Sequence, residues 1–236
     1  MRILVTRPLD DAQETAAKLK ALGHESIIAP LLEIRFRDGP QLNLENVQAI
    51  LATSANGVRA LARRTPRRDI PVFAVGPQTS EAARLAGFAN VKSADGNGDA
   101  LAIAAAAWAK PDAGALLHAQ GEVTKGGLAK ALTARGYEMR SEILYEAVAA
   151  AALPQTAIDA LKSDTLDAAF LFSPRSARIF AECVVRAGLV NETSRLAALC
   201  ISRATADSLK PLAFREIRIA ASSNQGAMFA LAARGL

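Results

Sequence analysis

Short apolar runs alternate along the chain with longer segments whose apolar residues recur at helical spacing. Residues 2–6 (RILVT) are typical of a buried strand, and residues 10–22 place their apolar side chains on one helical face. The same alternation continues along the chain and gives about eight strand–helix pairs. It predicts βαβ units and parallel sheets. Because this is too many units for one small open sheet, the pattern favours two doubly wound α/β domains.

Three sequence blocks occur twice, in the same order. Residues 3–33 align without gaps on residues 116–146. Further along, the blocks that begin at Leu51 and Val75 fall on those that begin at Leu171 and Ile201. The offset between the two copies drifts only from 113 to 126 residues. We interpret the two halves as the product of an internal duplication.

Two β-prone segments, 31–37 and 144–150, occupy matching positions in the repeat and are predicted to be β connectors. Two arrangements fit them. In the first, the domains are sequential and divide near residue 113. In the second, a continuous domain of residues 38–143 is inserted into a discontinuous domain made of residues 1–30 and 151–236. The hydrophobic pattern alone does not choose between the two.

Composition places the chain among ordinary globular proteins. Of its 236 residues, 51% are hydrophobic and 22% are charged, which excludes a disordered, collagenous or coiled-coil protein. The formal net charge of +5 suits an acidic ligand. The longest apolar run, residues 100–109, is shorter than the roughly 20 residues of a membrane span, and the N-terminus has no signal-peptide pattern. We therefore expect a soluble, cytoplasmic protein with no membrane partner.

Common cofactor motifs are incomplete. Leu101 stands where a dinucleotide fingerprint needs its third glycine, and Gly127 stands where a phosphate loop needs its lysine. The two histidines form no metal-binding pattern; His24 is expected in solvent and His118 in the core or at the rim of a strand. Aromatic residues make up only 5% of the chain, which disfavours a nucleic-acid partner. We expect no cofactor, no catalytic metal and a monomer.

Hydroxyl-bearing turns recur where predicted strands end and helices begin. Carboxyl ends of parallel strands bind ligands, and free N–H groups at helix N-termini favour carboxylates or phosphates. The alternative for each residue is ordinary helix capping by Ser or Thr. The candidate anion-binding residues in these turns are Thr53, Ser54, Gly76, Thr79, Ser173, Ser176 and Thr205.

Two further side chains are candidates. Arg7 lies just beyond the first predicted strand and has the geometry to pair with a carboxylate through two N–H groups. Tyr145 is one of only two tyrosines and lies in the second predicted connector. Its hydroxyl is either a proton or hydrogen-bond donor to a ligand, or the solvated end of a packed ring.

Several segments together resemble the uroporphyrinogen-III synthase family over essentially the whole chain. They are VTRP at 5–8, LATSANGV at 51–58, VFAVGPQTSEAARLAGF at 72–88, LYEAV at 144–148 and FLFSPRSA at 170–177. The resemblance implies two α/β domains joined by a two-stranded ladder, one inserted into the other, and so it selects the insertion arrangement.

The resemblance also implies a reaction. The family is a group of cyclising lyases of haem biosynthesis that convert hydroxymethylbilane, a linear tetrapyrrole polycarboxylate, into uroporphyrinogen III without a cofactor. Water is lost, ring D is inverted through a spirocyclic intermediate and the macrocycle closes. Tyr145 matches the family tyrosine that is proposed to assist departure of the hydroxyl group. The six hydroxyl-bearing turn residues match positions that would hold carboxylates, and Arg7 matches the arginine of the family's N-terminal motif.

The chain departs from the family pattern at two turns. Residues 202–205 keep only Thr205 of the family's second-half turn, and residues 118–121 keep only Gly121 of an arginine–glycine pair. The alternative function is a two-domain, cleft-closing binding protein for a small polyanionic ligand, without turnover. A nucleotide-dependent transferase is disfavoured by the missing phosphate loop.

Overall fold

The computed structural model describes residues 1–124 and 126–233. The strands of this part of the chain are β1 Arg2–Val5, β2 Glu25–Ile28, β3 Leu32–Phe36, β4 Val47–Ala52, β5 Val72–Ala74, β6 Val91–Ser93, β7 Ala115–Gly121, β8 Met139–Ala149, β9 Ala168–Leu171, β10 Ala197–Cys200 and β11 Glu216–Ile219. Its α-helices are α1 Leu9–Ala21, α2 Ala55–Arg64, α3 Pro77–Leu85, α4 Gly98–Trp108, α5 Gly127–Thr133, α6 Gln155–Lys162, α7 Pro174–Arg186, α8 Arg203–Asp207 and α9 Gln225–Ala233. The predicted α/β class with parallel sheets is confirmed.

Contacts between residues divide the chain into two compact units. One unit joins Met1–Glu33 to the chain from Val148 onward, and the other is Ile34–Ala147. We call them the discontinuous unit and the continuous unit.

The discontinuous unit is built on five parallel strands in the order β11-β10-β9-β1-β2. Helices cover both faces of this sheet. Leu4 of β1 belongs to the same core cluster as Phe180 of α7. Its neighbour Ile3 belongs to the opposite cluster, with Leu19 of α1 and Met228 of α9. Because successive residues of β1 enter different cores, the strand reads as an uninterrupted apolar run.

The continuous unit is built on six strands in the order β3-β8-β7-β4-β5-β6. Strands β4 to β8 pair in parallel. Here too both faces are covered: Ile50 of β4 lies in one core cluster with Leu61 of α2, and Leu51 lies in the other with Leu101 of α4. Each face of the buried strands therefore packs against the apolar side of the helices that cover it.

The two sheets share a strand order. Reading β11-β10-β9-β1-β2 against β6-β5-β4-β7-β8 matches each strand with its counterpart in the sequence repeat. Strand β3 is the additional strand of the six-stranded sheet. Gly23 and Gly136, which align in the repeat, both follow a helix with a positive φ, at 79° and 84°. Only glycine adopts this left-handed conformation readily, so both helix ends need it.

Strand β8 begins earlier than the predicted connector 144–150. Residues 139–143 already pair with Leu116–Gln120 of β7. The predicted connector 31–37 contains β3, which lies beside β8, so both segments belong to the six-stranded sheet. The early part of β8 escapes sequence reading because residues 140–142 are polar and mostly exposed, without an apolar alternation.

Candidate active site

The turn between β4 and α2 places two hydroxyl groups at the carboxyl edge of the six-stranded sheet. Ser54 is the N-cap of α2, and its Oγ accepts a hydrogen bond from the backbone N–H of Gly57 at 2.9 Å. The preceding Thr53 has its Oγ1 3.2 Å from Nε2 of His118 on the adjacent strand β7. Both side chains are half-buried. The cap holds the Ser54 side chain in place because it satisfies one of the free N–H groups of the helix.

Tyr145 of β8 reaches the same turn from 91 residues away. Its hydroxyl oxygen lies 2.8 Å from Ser54 Oγ. In the parallel register of β7 and β8, Tyr145 stands opposite Gly121, the last residue of β7. The structure thus brings three of the predicted site residues, Thr53, Ser54 and Tyr145, to one edge of one sheet.

His118 supports this edge from within the sheet. It is 2% exposed, and burial lowers the pKa of its imidazole to about 4. The ring is therefore neutral near pH 7, with one nitrogen that donates and one that accepts a hydrogen bond. Since Nε2 faces Thr53, the histidine orients that hydroxyl group and lies within the core, as the sequence pattern suggested.

The turn between β5 and α3 ends at the same edge of the sheet. Pro77 occupies the first position of α3, where the N–H that proline lacks is not needed. The carbonyl of Gly76 accepts hydrogen bonds from the backbone N–H and the hydroxyl of Ser80, at 3.0 and 3.1 Å. Thr79 is only 5% exposed. Because Thr79 is buried, a ligand at this turn would meet backbone N–H groups before it met the Thr79 hydroxyl.

Two matching pairs of hydroxyls lie at the carboxyl edge of the five-stranded sheet. Ser173 caps α7 and contacts Ser176, with 2.9 Å between the hydroxyl oxygens. Ser202 caps α8 and contacts Thr205 in the same way, at 3.0 Å. In each pair the capping residue is half-buried and the second residue is buried. The accessible hydroxyl groups of these turns are therefore those of Ser173 and Ser202.

Arg7 lies just past β1, but its contacts are internal. Nη2 lies 3.1 Å from Asp11 Oδ2, and Nη1 donates to Thr15 Oγ1 at 3.2 Å. The guanidinium also packs over the ring of Phe172, 4.4 Å from its centroid. With 6% of its surface exposed, Arg7 links α1 to the residue that follows the neighbouring strand β9.

Comparison with known protein families shows to which family this chain belongs. The family model of Uroporphyrinogen-III synthase HemD matches residues 13–230. The chain belongs to the uroporphyrinogen-III synthase family. The predicted resemblance is confirmed, and with it the prediction of a cyclising lyase of tetrapyrrole biosynthesis. Nothing in these comparisons supports a binding protein without turnover.

Solved structures of the family share the fold. The uroporphyrinogen-III synthetase of Helicobacter pylori matches with a TM-score of 0.64 and 17% identity, over 98% of each chain. A mutant uroporphyrinogen III synthase of Thermus thermophilus matches with a TM-score of 0.53 and 19% identity, over 99% of this chain and 98% of that chain. A comparison with curated protein sequences finds no match.

Some polar residues at the carboxyl edges of the two sheets are not predicted from the sequence. Ser202 is missing from the predicted set because its turn departs from the family pattern. A serine at the start of a helix, here three residues before Thr205, is nevertheless a usual helix-capping signal. The loop before α9 adds Ser223, whose hydroxyl donates to Ile201 O at 3.4 Å, and Asn224, whose Oδ1 accepts from Ala227 N at 2.9 Å. The sequence SSN before a helix is the available signal.

The arrangement is suited to binding carboxylates and to donating a proton from Tyr145. Hydroxyl groups and the first N–H groups of helices at both edges favour anions. Within residues 1–124 and 126–233, no group of three or more His, Cys, Asp or Glu side chains has the proximity needed to hold a metal ion. In the same part of the chain, every helix is too short or too polar to cross a bilayer.

Proposed function

We propose that this chain converts hydroxymethylbilane into uroporphyrinogen III, with loss of water and inversion of ring D, and that Tyr145 is its catalytic residue. Family membership supports the reaction. The assignment of Tyr145 rests on the 2.8 Å contact between its hydroxyl and that of Ser54, the N-cap of α2, at the carboxyl edge of the six-stranded sheet. This edge is where a parallel α/β sheet binds its ligands.

The proposed chemical role of Tyr145 is that of a proton or hydrogen-bond donor. As the hydroxymethyl C–O bond breaks, the leaving hydroxyl accepts the phenolic proton and departs as water. The nitrogen lone pair of the adjacent pyrrole stabilises the electron-poor carbon, which gives an N-protonated azafulvene and leaves Tyr145 as a phenolate. Tyr145 then regains a proton from solvent or from the product as the macrocycle closes. A tyrosine hydroxyl suits this role because it carries its proton near neutral pH.

The harder task of the enzyme is to choose the carbon that attacks. The substituted carbon of ring D must reach the azafulvene before the unsubstituted carbon, whose attack gives the type I isomer. Holding the reacting carbons in the productive geometry can lower a barrier by up to roughly 7–11 kcal/mol. The protein therefore acts mainly by orienting the substrate through its carboxylates.

We propose that the carboxylates bind at the turns of each unit. In the continuous unit the proposed ligands are Thr53, Ser54, Gly76 and Thr79, and in the discontinuous unit they are Ser173, Ser176, Thr205 and Arg7. The capped helix ends and the net charge of +5 support this assignment. Arg7 has a weak case as a direct ligand, because Asp11 and Thr15 already engage both of its Nη atoms. Thr79, Ser176 and Thr205 are buried, so their turns would meet a carboxylate mainly through backbone N–H groups.

The shared strand order of the two sheets supports a further part of the proposal, an internal duplication with one unit inserted into the other. The predicted monomeric state, cytoplasmic location and lack of a nucleic-acid partner remain predictions. So does the predicted absence of a cofactor.

The experiment that tests the function is an analysis of product isomers. Hydroxymethylbilane is generated in situ and exposed to the purified protein, and the oxidised products are separated into uroporphyrins I and III. We expect type III to dominate without added metal or nucleotide. A folded protein that yields only the spontaneous type I product would contradict the proposal.

The same assay tests Tyr145. Tyr145→Phe should lower kcat by roughly 100-fold, the low end of what general-acid catalysis contributes, because hydroxymethylpyrroles ionise readily. Tyr137→Phe is the matched control. It removes the only other tyrosine hydroxyl, which donates to Ala106 O and Ala109 O at 2.9 and 3.1 Å, away from the edge. Equal rates in the two variants would reduce Tyr145 to a packing residue.

A further inference from the structure

The ring of Tyr145 rests against the backbone of Gly121. A β-carbon added at Gly121 would lie 2.8 Å from Cζ of the tyrosine ring, 2.9 Å from Cε2 and 3.1 Å from the hydroxyl oxygen. Real β-carbons essentially never come within 3.0 Å of another heavy atom, so the first two of these contacts would force a shift. Gly121 and Tyr145 oppose each other just after a register shift in the β7–β8 pairing, and the N–H of Glu122 donates to Tyr145 O at 2.9 Å. Moving the two backbones apart would break this pairing. Only glycine leaves room for the ring where it now lies.

Ser54 holds the other end of the tyrosine. Its Oγ contacts the phenol oxygen at 2.8 Å and is itself held by Gly57 N at 2.9 Å. The start of α2 is in turn pressed onto β7, because a β-carbon at Gly57 would lie 2.7 Å from Ala119 O. The hydroxyl that meets Tyr145 is thus fixed to the same strand that carries Gly121.

We propose that Gly121 and Ser54 are positioning residues for Tyr145, with Gly121 setting the plane of the ring and Ser54 setting the place of its hydroxyl. The inference rests on the proposed function, in which that hydroxyl donates to the leaving group. A donor displaced by about 1 Å can lose roughly 100-fold in rate. Gly121 has no side chain that could cap a helix or pack in a core. Its proposed role is to leave room for the tyrosine ring.

Gly121→Ala tests whether Gly121 sets the position of the Tyr145 ring. The added methyl group must displace the tyrosine, so we expect kcat to fall roughly 10- to 100-fold while KM changes much less. Gly98→Ala is the matched control in the same unit, because a β-carbon there meets no atom within 4 Å and φ is not positive. A Gly121→Ala enzyme with the wild-type kcat would overturn the proposal.

Ser54 is tested by a double-mutant cycle with Tyr145→Phe. If Ser54 acts through the phenol, Ser54→Ala lowers kcat in the wild type but causes no further loss once the phenol is gone. A serine that only caps α2, or that only holds a substrate carboxylate, would lower the rate by the same factor in both backgrounds, and that result would overturn the proposal. Ser54→Thr keeps both the cap and the hydroxyl, and we expect it to restore most of kcat.

A spectroscopic readout separates this inference from the proposed function. With only two tyrosines, protein labelled with ¹³C at tyrosine Cζ gives two signals, which Tyr137→Phe assigns. Ser54→Ala and Gly121→Ala should move the Tyr145 signal and leave that of Tyr137 in place. An unmoved Tyr145 signal overturns the positioning role, whatever the product. A wild-type protein that makes only the type I isomer overturns the proposed function, and the signal shifts still report on the contact.

Discussion

Burial of His118 makes the stability of the continuous unit depend on pH. Its folded pKa, about 4, is lower than the ordinary value of 6.5, so the unfolded chain binds the proton more tightly than the folded protein does. The contribution of the neutral histidine to stability is therefore complete above pH 6.5. It is lost as the pH falls from 6.5 through 4. Between pH 7.5 and pH 5 this linkage lowers the free energy of unfolding by about 2 kcal/mol.

His118→Gln tests this linkage. The variant has no group that titrates at this position, so we expect its free energy of unfolding to fall less between pH 7.5 and pH 5 than that of the wild type. All other titratable groups are common to the two proteins and cancel in the difference. The measurement is urea denaturation at the two pH values. If the wild type and the variant lost equal stability between pH 7.5 and pH 5, the buried imidazole would not be the cause of that loss.

At the scale of elements, Arg68 organises the loop that links α2 to β5. Its guanidinium donates to four backbone carbonyls, those of Ala62, Thr65, Arg67 and Ala86, at 2.6–3.1 Å. It also packs over the ring of Phe88, 4.9 Å from its centroid. The arginine replaces the hydrogen bonds that these carbonyls would otherwise make with water. Arg68, the last residue of the arginine-rich segment 59–68, therefore has a structural role.

Arg68→Lys should lower the free energy of unfolding by about 1–3 kcal/mol, because an ammonium cannot reproduce the planar fork that reaches several carbonyls at once. The matched control is Arg67→Lys. Arg67 pairs with Asp69 across an exposed surface, so its replacement should leave the unfolding midpoint within experimental error. The midpoints are measured by urea denaturation. A result in which the two variants lose equal stability would contradict the role assigned to Arg68.

Elements whose cause is local are predictable from the sequence, and contacts whose cause is distant are not. The apolar run of residues 3–5 predicts a buried strand, and the hydroxyl-bearing turn that begins at Ser173 predicts that a helix follows; the structure has both. The start of β8 escapes prediction because its stability comes from pairing with β7, which polar residues 140–142 do not reveal. The Tyr145–Ser54 contact escapes it for the same reason, since only the strand order brings the two residues together.

At the scale of the whole molecule, the strand order gives the continuous unit a complete sheet of its own. In the described part of the chain its six strands pair only with one another, and its two core clusters draw their residues from the same stretch of chain. A unit with its own sheet and cores can fold alone. We therefore expect a fragment of residues 31–150 to show the circular dichroism of an α/β protein and to unfold cooperatively in urea.

A fragment of residues 1–113 is the matched control, because it ends where a sequential pair of domains would divide. It is of similar length but lacks β7, which pairs with β4 along almost the whole of that strand, and β9, which pairs with β1. Both sheets would lose an inner strand and expose an apolar edge, so we expect this fragment to unfold without cooperativity or to aggregate. If residues 1–113 folded cooperatively and residues 31–150 did not, the domains would be sequential and the proposed insertion would be wrong.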